Sequence, residues 1–364
     1  MKPHTNSYQF SWFDWFCLIY PPGWLILFNR HWQHYHVDRD CKERTSRDGW
    51  NWLEYALFLL PGGFYLALLL RWLRLGCRSP QWEDCQFDPS YQKAFRDEIL
   101  APILKYYFRG SLQQIENLPE NGPLIVAMNH AGMCFPWDFL GLACLLGQNR
   151  SWEVRSLAGI SLFEHPWVKW WLPPGWSQVL GGVKAELDDF ETVLGGLSES
   201  EALRDQIILL YAPEGLRGPQ KGWNRRYQLE RFHPSFIKLS DRYCIPILPV
   251  VCLGNESLHP RSLNLKRWAR RLKLPFLPIS ILMFVFILFP SMGVWASRSR
   301  LSYYIQPLYQ PWSEVFQCEM TKDPQISSEP QEFEPNQLNR SQAYYQAQQL
   351  RIKLQNQIDY LLKN

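Results

Sequence analysis

Three short apolar runs, each ending in residues with chemical uses, constrain the fold of this chain more than any other feature. Leu124 to Met128, entered through the turn pair Gly122-Pro123, reads as a buried strand that stops at Asn129-His130. Ile207 to Tyr211 is a second run and delivers Ala212 through Gly218 to a loop; Ile245 to Leu253 is a third. Such runs predict an α/β fold, a sheet flanked by helices, and strand ends are where open α/β sheets hold their reactive side chains. The 364 residues, 46% of them apolar, suffice for one substantial core with appended segments.

Pro136 stands where a helix can begin, which puts Asp138 in its first turn, near the positive end of the helix dipole and able to face His130. A neutral imidazole takes a proton from an alcohol, and a carboxylate on its other nitrogen fixes the tautomer and steadies the imidazolium. Taken alone, the pair also fits a histidine bonded locally at a strand end and an aspartate that merely caps a helix. Its weight comes from Pro213-Glu214-Gly215 at the end of another strand, where Gly215 lets backbone approach a ligand closely and Arg217 can grip phosphate through two donors.

In this order the motifs resemble the four blocks of the glycerolipid acyltransferase family, the glycerol-3-phosphate and 1-acylglycerol-3-phosphate acyltransferases, over roughly Tyr107 to Leu308. Asn129-His130 with Asp138 looks like the catalytic block, Pro213-Glu214-Gly215 with Arg217 like the acyl-acceptor block, and Ile245 to Val250 like the fourth. Gly181 to Ala185 sits at the second block, with Lys184 where the family often carries arginine. The resemblance implies that His130 deprotonates the acceptor hydroxyl, that Asp138 orients His130, and that the alkoxide attacks an acyl thioester without a covalent enzyme intermediate. It implies Glu214, Gly215 and Arg217 as acceptor-binding residues, acyl-CoA or acyl carrier protein as donor, and a lysophospholipid, above all 1-acylglycerol-3-phosphate, as acceptor. No cofactor and no metal are expected. The basic run Arg217, Lys221, Arg225, Arg226 and Arg231 is a candidate for phosphates of acceptor or donor, or else a solvated loop.

Two departures from the family pattern bear on this. Seven residues, Ala131 through Trp137, separate His130 from Asp138 where the common form has four, so the loop must fold back for the pair to meet. Leu216 replaces the usual threonine, which removes one hydroxyl from phosphate recognition and leaves Arg217 to supply it.

Membrane-facing segments are expected on both sides of this domain. Residues 1–79 read as an anchoring region with two aromatic apolar stretches, Trp12 to Phe28 and Trp52 to Leu73, each broken by Pro or Gly and therefore suited to interfacial or broken helices. The catalytic domain is expected over residues 80–320. Within it Leu274 to Ala296 contains no charged residue, yet the strands on either side must join one sheet, so a bent wedge at Pro275, Pro278 or Pro290 is expected rather than a crossing. Arg261, Lys266, Arg267, Arg270, Arg271 and Lys273, free of acidic neighbours, form a basic amphipathic segment just before it. Residues 321–340 read as a flexible linker, and residues 341–364 as an amphipathic helix. The chain is expected at a membrane with its catalytic domain on the cytoplasmic or equivalent face, since no cleavable signal is evident.

Other function classes find less support. The scattered basic residues, in a chain of net charge +4, form no nucleic-acid motif, so no nucleic-acid partner is expected. Nine cysteines without paired spacing indicate neither a disulfide framework nor a zinc site, and Cys134 reads as a small loop residue rather than a nucleophile. His31, His34 and His36 are spaced too loosely for a strong metal signal. Two alternatives to a lysophospholipid acyltransferase stay open: transfer to a neutral acceptor such as diacylglycerol or a long-chain alcohol, and a membrane lipid-binding protein that has lost catalysis.

Overall fold

The computed structural model describes residues 7–36, 49–78, 86–131, 135–150, 152–158, 172–173, 175–184, 193, 207–271, 278–280, 282–312 and 338–363. Nine strands are found among them: β1 (Ser111–Gln113), β2 (Leu124–Met128), β3 (Glu153–Ala158), β4 (Gly182–Lys184), β5 (Ile207–Tyr211), β6 (Ile247–Leu253), β7 (Leu263–Asn264), β8 (Pro278–Ile279) and β9 (Ser302–Ile305). Seven of these form one sheet in the order β1-β9-β6-β2-β5-β3-β4, and β7 pairs with β8 in a small ribbon. Strand β2 is central and lies parallel to both β5 and β6, with Ile125 opposite Leu209 on one side and Ile247 on the other. Within this seven-stranded sheet the β6–β9 pairing alone is antiparallel. The ends of β2, β5 and β6 therefore open on one edge of the sheet, where a mostly parallel sheet gathers its loops.

Successive residues of these strands face opposite sides, as the pleat requires. Leu124, Val126, Met128, Ile208, Leu210, Leu248 and Val250 join one buried cluster; Ile125, Ala127, Leu209, Ile247 and Val251 join a second. Helix Trp137–Asn149 and the amino-terminal helix Trp24–His36 cover the first face, and helices Ser235–Tyr243 and Arg340–Leu361 cover the second. The carboxy-terminal helix begins at Asn339, whose side chain accepts from the Gln342 amide while Gln342 reciprocates. It buries Ala343, Ala347, Leu350, Leu354 and Ile358, a three-and-four spacing. A helical stretch runs from Pro89 to Phe108, with wide π-turns on either side of Pro102, where the missing amide proton interrupts regular bonding.

The amino-terminal segments divide into two kinds of surface. Trp24 through Phe28 are fully buried in the first core, so this part of the expected anchor is domain interior. Helices Trp12–Ile19, Trp52–Phe58 and Gly63–Arg74 are inverted: Asp14, Glu54 and Arg71 point inward and are at most 3% exposed, while Trp12 and Ile19 are about four-fifths exposed. Each inward charge has a partner, Asp14 with Arg30 at 2.8 Å, Glu54 with Arg74 at 3.0 Å, and Arg71 over the Trp50 ring. No helix among the described residues is long and apolar enough to cross a membrane.

The apolar stretch before Ala296 is split in the same way. Helix Leu282–Leu288 presents Phe284, Ile287 and Leu288 to the outside, and from Pro290 the chain turns into a short 3-10 helix that buries Ser291, Met292 and Val294. A helix of this length spans only about 10 Å at 1.5 Å per residue, a third of a bilayer core. Pro290 thus marks a real bend, whereas Pro275, Lys273 and most of the 321–340 segment lie outside the described residues.

Candidate active site

Strand β2 carries the site. At its end Asn129 turns its amide sideways onto β6, donating from Nδ2 to the Cys252 carbonyl at 3.0 Å and accepting from the Cys252 amide at 2.7 Å. That pair of hydrogen bonds pins the strand terminus to its neighbour and fixes the next residue, His130. The long loop to Asp138 does fold back: Asp138 occupies the first turn of helix Trp137–Asn149, and His130 Nδ1 lies 3.0 Å from each of its carboxylate oxygens. Residues 132–134, including Cys134, lie outside the described part of that loop.

Asp138 is fully buried and satisfied on both oxygens. The Ala131 amide donates to Oδ2 at 3.0 Å and the Phe139 amide to Oδ1 at 2.9 Å, while Asn255 Nδ2 approaches Oδ2 at 3.5 Å. From the far side the buried Tyr303 hydroxyl donates to the Asp138 carbonyl at 2.8 Å, tying the start of the helix to β9. Burial alone would raise the Asp138 pKa, but the charge and hydrogen bond of His130, with the two amides, hold it below the usual carboxylate value. Burial likewise disfavours the His130 imidazolium, and Asp138 outweighs it, so the His130 pKa lies above the ordinary 6.5. With Nδ1–H committed to Asp138, the remaining lone pair is on Nε2, and the ring, packed edge-on against Phe139, keeps 16% of its side chain open to the outside. This arrangement has the parts of a general base: a ring nitrogen not engaged by the carboxylate, and the carboxylate bonded to the other nitrogen.

The loop after β5 comes up against the same histidine. Gly218 packs so close that an added Cβ would stand 2.6 Å from the His130 carbonyl oxygen. Gly215 adopts a left-handed backbone, φ +56°, with open space where a Cβ would go; the backbone conformation and not crowding requires glycine there. Arg217 and Leu216 are exposed on the 3-10 turn Gly215–Arg217, and the Arg217 guanidinium pairs with no carboxylate among the described residues.

Glu214 differs from the sequence expectation in where it points. It is buried, its Oε2 accepting from the Glu230 amide at 2.7 Å and meeting Lys221 Nζ at 3.2 Å. Burial raises its pKa against the pull of Lys221, and its Oε1 has no hydrogen-bond partner in this buried position. Lys221, expected as one cation of a phosphate-binding run, is instead a buried brace between Glu214 and Glu256 that also donates to the Gln228 carbonyl at 3.0 Å. The rest of that run is engaged locally or exposed: Arg225 pairs with Glu230 at 2.8 Å, and Arg226 lies over the Trp223 ring. The phosphate-binding expectation for Lys221 is corrected by its burial; a solvated loop lysine would not sit between two carboxylates with 2% of its side chain exposed.

Sequence reasoning missed Asn255, Tyr303 and His259. Asn255, fully buried, lies just past the end of β6 after Gly254, so the strand-end rule that found His130 and Glu214 would have found it had it been applied to the third run. Tyr303 carries no signal of its own within a strand. His259 is buried and near Asp138; burial holds its pKa down to about 4 against the pull of the Asp138 charge and the Trp295 backbone. Among the described residues no cluster of His, Cys, Asp or Glu could hold a metal ion. Lys184, the second-block cation, ends β4, which is separated from β2 by two strands, β5 and β3.

The strand-end His-Asp pair and the Pro-Glu-Gly loop lie within residues 110–282, which match the family model described as Acyltransferase. Over those residues the chain is similar to the acyltransferase family. Uncharacterised proteins of Mycobacterium tuberculosis and Mycobacterium bovis are 29% identical to it over 197 residues, 53% of this chain and 51% of theirs. One from Mycobacterium leprae is 28% identical over the same length. The chain thus spans about half the length of the curated relatives it matches. The crystal structure of the 1-acyl-sn-glycerophosphate (LPA) acyltransferase PlsC from Thermotoga maritima aligns with 85% of this chain and 92% of its own, at 16% identity and a TM-score of 0.38.

Proposed function

We propose that this protein is a membrane-associated O-acyltransferase that moves a fatty acyl group from acyl-CoA or acyl carrier protein to a glycerolipid hydroxyl, with 1-acylglycerol-3-phosphate as acceptor. The observation that carries this is the His130–Asp138 pair, with Nδ1 held 3.0 Å from both carboxylate oxygens and 16% of the histidine side chain exposed. In the proposed step the acceptor hydroxyl gives its proton to His130 Nε2 as its oxygen attacks the thioester carbonyl carbon. The carbon–sulfur bond then breaks, and the leaving thiolate takes the proton back from the imidazolium. Asp138 keeps its negative charge throughout and stabilises the imidazolium between the two transfers.

Acceptor choice rests on the loop after β5. Arg217, exposed and without a carboxylate partner among the described residues, is suited to a phosphate oxygen pair. Leu216 beside it is half exposed and supports a second reading, in which a neutral acceptor such as diacylglycerol packs there. Membrane association is supported by the inverted helices, whose charges face inward and whose aromatic residues face out.

The test is transfer of labelled acyl groups from the thioester to lysophosphatidate, glycerol-3-phosphate or diacylglycerol by purified wild type. Preference for lysophosphatidate that is lost in Arg217→Ala supports the phosphate reading. Equal loss on diacylglycerol gives Arg217 a structural role instead.

A further inference from the structure

Between Glu256 and Glu314 the chain contains no acidic residue. The part of this stretch nearest the site folds into ribbon β7–β8 and the short helix Lys266–Arg271. On it Arg261, Lys266, Arg267, Arg270 and Arg271 are all exposed, and none forms an ion pair with a described carboxylate. Trp268, 54% exposed, stands among them with Arg271 over its ring. Leu263 and Ile279, directly paired across the ribbon, are exposed as well. Cations interleaved with an indole and aliphatic side chains have no reason to face water together, because the apolar groups gain nothing there and the cations repel one another.

The position of this patch is fixed by hydrogen bonds on both sides. Toward the site, the Trp223 amide donates to the Ser262 carbonyl at 2.9 Å, and Asn264 Nδ2 donates to the Gln220 carbonyl at 3.2 Å. Those acceptor-loop residues follow directly on Gly218, which packs against His130. Away from the site, helix Leu282–Leu288 hands over to the inverted helices, with the Gly62 amide on the Leu288 carbonyl at 2.6 Å and the Tyr65 hydroxyl on the Ile287 carbonyl at 2.9 Å. A basic aromatic rim and an uncharged apolar face thus form one bonded surface that runs from the inverted helices to the acceptor loop.

We infer that this rim docks the protein on a bilayer containing anionic phospholipid, with Lys266–Arg271 on the headgroups and Trp268 at the interface, so that the acceptor loop meets the lipid surface. This deepens the membrane-associated reading above and rests on it for location, though not for catalysis. Charge complementarity and continuity with the apolar face favour a lipid surface over a soluble acidic partner, which would need no exposed Phe284 or Ile287 beside it.

The test is flotation of the full-length protein with vesicles of phosphatidylcholine alone or mixed with phosphatidylglycerol, at low and high salt, for wild type and for the triple variant Arg267→Gln, Arg270→Gln, Arg271→Gln. The expected result is stronger binding to the mixed vesicles, weakened by salt, and a loss of about tenfold or more in the variant. Wild-type binding that ignores phosphatidylglycerol or salt overturns the inference without recourse to any variant. So does a folded variant that floats like wild type, or one that keeps vesicle binding but loses binding to acyl carrier protein. His130→Ala should bind vesicles as wild type does. Failure of flotation therefore leaves the catalytic reading to its own assay, and failure of catalysis leaves this one standing.

Discussion

Lys221 Nζ sits 3.2 Å from Glu214 Oε2 and 3.3 Å from Glu256 Oε1, one ammonium shared by two carboxylates beneath the acceptor loop. The same three-way contact couples the loop after β5 to the turn after β6, whose Asn255 reaches Asp138. Removing one partner of a buried ion pair leaves the others desolvated and uncompensated, which costs about 3–5 kcal/mol. Lys221→Met is expected to lose that much stability in urea denaturation, and Glu214→Gln added to it should restore part of the loss. A Lys221→Met protein as stable as wild type would mean that the lysine is solvated.

The His130 pKa above 6.5 sets a pH dependence with a definite sign. Catalysis needs the neutral ring, so kcat/KM should rise with pH through a pKa higher than 6.5. Stability runs the other way: a raised folded-state pKa contributes stability that is complete below the unfolded value and is lost as pH rises through the folded one. In Asp138→Asn the charge that raises the pKa is gone, so the acidic limb of the rate profile should move to lower pH while the rate falls by roughly 10³–10⁴. The measurement is kcat/KM against pH for both proteins; an unshifted limb would separate Asp138 from the base.

Asn129 contributes no chemistry in this account but aims the residue that does. Asn129→Ala leaves the amide and carbonyl of Cys252 without their buried partners, at about 1–3 kcal/mol for each unsatisfied group. Denaturant unfolding should show a loss of about 2–6 kcal/mol with an unchanged m-value.

Gly141 offers a case where an ordinary helix rule reverses. Replacing a mid-helix glycine by alanine usually stabilises by about 1 kcal/mol. Here the new methyl group would collide with the Tyr303 hydroxyl and press on Leu104, disturbing the bond from Tyr303 to the Asp138 carbonyl. Gly141→Ala is expected to destabilise by about 1–3 kcal/mol, as overpacking does. Thermal unfolding above the wild-type midpoint would contradict it.

The sheet was legible because its central strands are uninterrupted apolar runs, and strand ends expose whatever residue follows. His130 and the Gly215 turn could be placed by that rule, and Asp138 by the helix start at Pro136, even across the long loop. Partnerships between distant loops could not: nothing local distinguishes Lys221, buried between two carboxylates, from Arg217, exposed four residues earlier. Hydropathy misled in the same way at Trp24 to Phe28, where a run suited to lipid fills the domain core, because burial in protein and burial in lipid select the same side chains. The inverted helices were hidden for the opposite reason, since their charges are compensated by residues far away in sequence or by a neighbouring ring.

The central claim is that His130 is the base of an acyl transfer, and the most direct test is acyl transfer from the thioester to lysophosphatidate by purified wild type and His130→Ala, each first shown to be folded. The account predicts ester product from wild type and a loss of at least about a thousandfold in the variant. Equal rates in the two proteins would contradict it, as would a folded wild type that transfers nothing to any acceptor of the panel.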